Sequence, residues 1–106
     1  MEILRTGSVP GKAAATSAAN LKGVYSVHFH QNGYDQEQLF SNSVIRGTPG
    51  WGLVNHSSNV VASNNVVHDF AGAAFSAEAG DEIGSFIGNI VSGGTNRPLQ
   101  AKPYAR

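Results

Sequence analysis

The chain has 106 residues, zero formal net charge, no cysteine, and only 13% charged residues against thirteen glycines. That length holds one small domain. The neutral balance offers no basic face for nucleic acid or an acidic membrane surface, and the missing thiols exclude disulfides, thiolate metal sites and cysteine nucleophiles.

No apolar run approaches the about 20 residues that a membrane-spanning helix needs, so membrane insertion is not expected. Few charges with many Gly, Asn and Ser disfavour long solvated helices and favour short strands joined by tight turns.

In chain order, Met1-Glu2-Ile3-Leu4 reads as a strand and lacks the basic-then-apolar pattern of a signal peptide. An exported parent would therefore carry its signal upstream. Residues 8–21, small and Ala-rich, read as a loop excursion. Val27-His28-Phe29-His30 then reads as a strand with alternate residues on opposite faces. Residues 31–38, with Asn32-Gly33, read as a second excursion.

From here the chain repeats itself. A shift of 22 places Asn42 on Asn64, Val44 on Val66, Ile45 on Val67, Leu53 on Phe75 and His56 on Glu78. A shift of 24 carries Asn65-Val66-Val67 to Asn89-Ile90-Val91, and one of 26 carries Val27–His30 to Leu53–His56. Repeats of paired helices are longer, about 33 residues or more. Leucine-rich repeats have the length, but their regular leucines are absent. Each unit instead reads as β-branched runs split by Gly, Asn or Pro. This predicts an all-β right-handed parallel β-helix, a solenoid of about four coils over residues 1–95, incomplete at both ends. Residues 96–106 form an irregular tail. Terminal layers need caps and none is evident, so further coils of a parent chain or end-to-end self-association are expected. Asn at the corners suits left-handed backbone, and its amide can bond the next layer.

The strand register predicts the chemistry. With Val27, Phe29, Leu53 and Phe75 inward, His30, His56 and Glu78 form one outward column with His28 beside it, spaced about 5 Å apart. Imidazole and carboxylate in that spacing suit a divalent metal such as zinc, iron or manganese. His28, His30, His56 and Glu78 are therefore the candidate ligands, alongside the plainer reading of a hydrogen-bonded polar column. Glu78, Asp81 and Glu82 are candidate acid–base groups for glycoside chemistry, or else a solvated corner turning at Gly80. Trp51 and Tyr25 are candidate sugar-stacking rings, with Tyr34 a third exposed aromatic, and Arg46 a candidate partner for an acidic sugar. His68-Asp69 reads as a corner Asp beside an exposed His.

Several strings resemble one family. Gly23-Val24-Tyr25-Ser26-Val27-His28-Phe29-His30 resembles the Gly-Arg-Tyr-Pro-(Val/Ile)-His-Phe-His signature in the right-handed β-helix region of the cell-surface hyaluronidase and hyaluronan-binding family. Fibrocystin-like proteins and bacterial relatives share that signature. His56-Ser57-Ser58-Asn59-Val60, Asn64-Asn65-Val66 and the stretch Ala74 to Glu82 resemble further steps of the same region. Val24, Ser26 and Ala79 depart from the pattern, and the family's N-terminal glycine-rich domain has no counterpart. The resemblance implies a secreted or cell-surface protein that handles polysaccharide. The resulting expectation is a polysaccharide-binding segment with an exterior His/Glu metal site. The alternatives are a metal-assisted glycan hydrolase or lyase, and a structural, adhesin-like stalk.

Overall fold

The computed structural model describes residues 2–4 and 25–95. The expected excursion at 8–21 and the tail at 96–106 lie outside them. Among the described residues the secondary structure is all β: β1 (Glu2–Leu4), β2 (Val27–Ser41), β3 (Val44–Thr48), β4 (Leu53–Ser63), β5 (Val66–Ala71), β6 (Phe75–Ala77), β7 (Ile83–Ile87) and β8 (Ile90–Thr95). Among the described residues no helix is long and apolar enough to cross a membrane.

The expected single β-helix of about four coils is corrected. The strands sort into two parallel sheets of four strands each, β1-β3-β5-β8 and β2-β4-β6, with β7 also paired to β4. The all-β content agrees with the sequence; the single solenoid is not what the strands form. The physical reason is that periodicity constrains which strand lies beside which, through matched side-chain columns. It does not constrain how the paired strands close into a solid.

The pairing register does follow the sequence shifts. Val27 to His30 pair with Leu53 to His56, and Leu53 to Asn55 with Phe75 to Ala77. In the other sheet Val44 and Ile45 pair with Val66 and Val67, which pair in turn with Ile90 and Val91. β-branched residues recur in these columns because they pack well on a pleated surface. The inward columns meet in a core of Ile45, Leu53, Ala62, Val67, Phe70 and Ala74, against which Val27, Phe29 and Phe75 pack.

The corners use left-handed backbone where the sequence puts Asn: Asn42 has φ 52° and Asn64 φ 56°. The next residue supplies the inter-layer bond. Asn65 Oδ1 accepts the Ser43 N–H at 3.0 Å, and Asn89 Oδ1 accepts the Asn65 N–H at 2.9 Å. Their amide nitrogens donate to Phe40 O at 2.9 Å and Ala62 O at 3.0 Å. Every polar atom of the fully buried Asn65 amide is thus used, as burial demands.

Residues 31–38 run within β2 rather than leaving the sheet. Register shifts fall between His30 and Gly33 and between Gly33 and Gln38, with Gln31 at φ 50° and Gly33 at φ 84°. Such bulges re-aim side chains without breaking the strand. β7 reaches β4 only because residue 84 is glycine: at φ 116° a Cβ there would collide with the Val60 carbonyl.

Candidate metal-binding histidine cluster

Three histidines converge where β2 lies beside β4. His28 and His30 are two residues apart on β2 and so share a face. The β2–β4 register sets His30 directly opposite His56. One ring nitrogen from each of His28, His30 and His56 lies within 4.8 Å of the others. The rings pack edge to face, with centroids 4.9 Å apart for His28–His30 and 4.7 Å for His30–His56, while His28 and His56 are stacked at 6.2 Å. Around a zinc ion with N–Zn of about 2.1 Å the nitrogens would sit about 3.4 Å apart. Binding an ion would therefore require the rings to draw together by rotation about their side-chain bonds. His28 and His56 are half-buried and His30 is exposed, so the cluster is walled on one side and open on the other.

Glu78 stands behind the cluster, outside the three-nitrogen group. β6 carries it beside His56: its N–H donates to Asn55 O at 2.9 Å, and its Oε1 lies 3.6 Å from His56 Nδ1. Oε1 is buried and makes no hydrogen bond, while Oε2 accepts from the Tyr25 hydroxyl at 3.3 Å.

The other residues singled out in the sequence fall elsewhere or play other parts. Tyr25 is buried, stacked on Trp51 at 5.6 Å and edge-on to His28 at 4.9 Å. Its ring backs the histidines and has no face left for a sugar. Trp51 is half-buried. Arg46 belongs to β3 in the other sheet and pairs with Glu2 at 3.1 Å, so it does not join the cluster. His68, next to Asp69 at φ 60°, pairs its Nδ1 with Ser92 Oγ at 2.8 Å on that same sheet.

Asp81 and Glu82 are held by the turn they close. Asp81 accepts from Tyr34 Oη at 2.8 Å and Ser57 Oγ at 2.9 Å. The Tyr34 hydrogen bond, then that of Ser57, holds the Asp81 carboxyl below its ordinary value. Glu82 accepts backbone N–H groups from Ser57 at 3.0 Å, Ala79 at 2.6 Å and Gly80 at 2.8 Å. Partial desolvation pulls the Glu82 carboxyl upward, yet these three donors outweigh it and bring it down to about 2. A group so acidic carries no proton to give at neutral pH.

Sequence reasoning missed two things here: the Tyr25–Glu78 bond, 53 residues apart in the chain, and the anchoring of the 78–82 turn on Ser57. Ser57 has φ 51°, and only the bulge it sits in aims both its N–H and its hydroxyl at the acids. No periodic signal marks it. A separate cleft of about 140 Å³ between Asn55, Glu82 and Phe86 shares no residue with the histidines.

No protein-family model, curated protein or solved structure matches this chain.

Proposed function

We propose that the chain binds a divalent transition metal through His28, His30 and His56, on a protein whose partner is an extracellular polysaccharide. The observation that carries the metal reading is the convergence of three imidazole nitrogens within 4.8 Å, with one of the three side chains exposed. Neutral imidazole suits zinc, copper, iron and nickel, so zinc and iron from the expected set fit this donor set better than manganese, which favours oxygen ligands. Three protein ligands leave a coordination position open on the exposed side, the arrangement that lets an external oxygen, from water or a sugar hydroxyl, reach a metal.

The polysaccharide reading, and with it a secreted or cell-surface location, rests on the resemblance of the Gly23–His30 string and is supported by the half-buried Trp51 ring, which stacks on Tyr25. Catalysis has weaker support. Glu82 is committed to three backbone donors and Asp81 to two side-chain donors, which leaves neither as a mobile acid or base.

The test is zinc and cobalt(II) binding by calorimetry on the wild-type chain and on His30→Ala and His56→Ala. One equivalent bound by the wild type and lost in both variants is expected, with the thermal midpoint of the metal-free proteins little changed. Absence of stoichiometric uptake by the wild type would remove the metal reading. Retention on immobilised acidic and neutral glycans, weakened by Trp51→Ala, checks the second half.

A further inference from the structure

The carboxylate behind the cluster has an unexplained place in it. Glu78 is mostly buried, with its side chain 14% exposed. One oxygen is tied to Tyr25 and the other makes no hydrogen bond. Leaving a buried carboxylate oxygen without a donor costs stability, so its position calls for a reason.

That second oxygen, Oε1, lies 3.6 Å from Nδ1 of His56. That distance is longer than a hydrogen bond. The approach is made to one specific ring nitrogen, and by an oxygen that nothing else occupies. The Tyr25 hydroxyl meanwhile restrains the carboxylate from its other oxygen, and the Tyr25 ring is itself stacked on Trp51 and packed edge-on to His28. A neutral imidazole carries its proton on one nitrogen and its lone pair on the other. An acceptor facing Nδ1 therefore favours the Nδ1–H form and leaves Nε2 as the donor atom.

We infer that Glu78 is the positioning residue of the histidine cluster: it holds His56 as the Nδ1–H tautomer and so presents Nε2 to the ion, without itself being a ligand. The inference rests on the metal reading above and deepens it. A cation on Nε2 polarises the Nδ1–H bond and draws the carboxylate in, turning the 3.6 Å contact into a charge-assisted hydrogen bond. Tyr25 is the next member of the same chain of contacts, so the order is Tyr25, Glu78, His56, ion. The loss of such an outer partner weakens metal affinity by about 10- to 100-fold.

The experiment compares the wild type with Glu78→Gln, Glu78→Ala and Tyr25→Phe. Zinc affinity is measured by competition with a chelator, the first coordination sphere by zinc-edge X-ray absorption, and the His56 tautomer in the metal-free chain by imidazole nitrogen-15 chemical shifts. Circular dichroism confirms that each variant is folded. Expected are an unchanged set of imidazole ligands in Glu78→Gln, an affinity loss of about 10- to 100-fold in Glu78→Ala with partial recovery in Glu78→Gln, and a shift of His56 away from the Nδ1–H form in Glu78→Ala.

Should Glu78→Ala bind zinc as tightly as the wild type, or keep the wild-type tautomer, the positioning role is overturned while the metal site stands. Loss of an oxygen scatterer in Glu78→Gln would make Glu78 a ligand instead and overturn it equally. A wild-type chain that takes up no zinc, yet shows the Nδ1–H tautomer, would fail the metal reading and leave Glu78 as the residue that fixes His56. If that tautomer were missing too, both ideas would fall.

Discussion

The middle strand β5 and the last strand β8 of this protein begin with like residues in the same columns, and those residues end in different environments. Val67 on β5 and Val91 on β8 are register partners. Val67 is 0% exposed and Val91 49%. In the neighbouring column Val66 is half-buried while its partner Ile90 on β8 is 63% exposed, and on the other sheet Ala62 of β4 is fully buried while its β7 partner Phe86 is 40% exposed. The difference lies in neighbours: β5 has a strand on each side and β8, among the described residues, on one only. An apolar side chain in a parallel sheet gains its burial from the layer on either side as much as from the facing sheet. Identical chemistry therefore contributes unequally along the stack.

The largest effect that would sharpen this contrast comes from truncating one column within the stack and at its last strand. Ile45→Ala, in the core, should cost about 2–5 kcal/mol, since a buried side chain is lost and a cavity remains. Val91→Ala in the same column should cost less than about 1 kcal/mol, because its site is already open to water. Denaturant unfolding of both variants measures the gap, and equal costs would break the comparison.

The asparagine ladder gives the next step. Asn65→Ala orphans the Ser43 N–H and the Phe40 carbonyl and should destabilise by about 1–3 kcal/mol. Asn89→Ala removes the corresponding bonds to Asn65 and Ala62, but at a half-exposed position where water replaces them, and should cost about 1 kcal/mol or less. Amide hydrogen exchange at Ser43 and Asn65 reads the two losses separately.

The smallest effect concerns the turn at 78–82, which sits between the two regions. The Glu82 carboxyl is depressed in the folded chain from 4.5 to about 2. The fold is therefore stabilised by its ionised form at pH above about 4.5, and that contribution is lost as pH falls toward about 2. Glu82→Gln should lower the thermal midpoint slightly at pH 6 and flatten its fall between pH 5 and 2. If the variant kept the wild-type slope, the acid dependence would belong to other groups.

Much of the pairing was legible in the sequence. The shifts of 22, 24 and 26 residues match the registers that bring His30 to His56 and Val67 to Val91, because each column repeats one residue type at one spacing. The convergence of His28, His30 and His56 follows from that register plus the two-residue alternation of a strand. Illegible were the contacts made by irregular backbone. Neither the bulge at Ser57 that seizes Glu82 nor the burial of Tyr25 beneath Trp51 leaves a periodic mark. Arg46 was drawn into the site by its charge alone, and the register sends it to the other sheet.

The sequence by itself determined that the chain is all β, which strands lie side by side, and that His28, His30 and His56 share one face. These follow from side-chain alternation and matched columns, which are local and repetitive. Only the tertiary structure decided that the strands divide into two parallel sheets, that Glu78 turns one oxygen to His56 and the other to Tyr25, and that Glu82 is spent on the backbone of its own turn. Those outcomes depend on which groups are brought together across the fold and cut off from water, and side-chain periodicity carries no information about either.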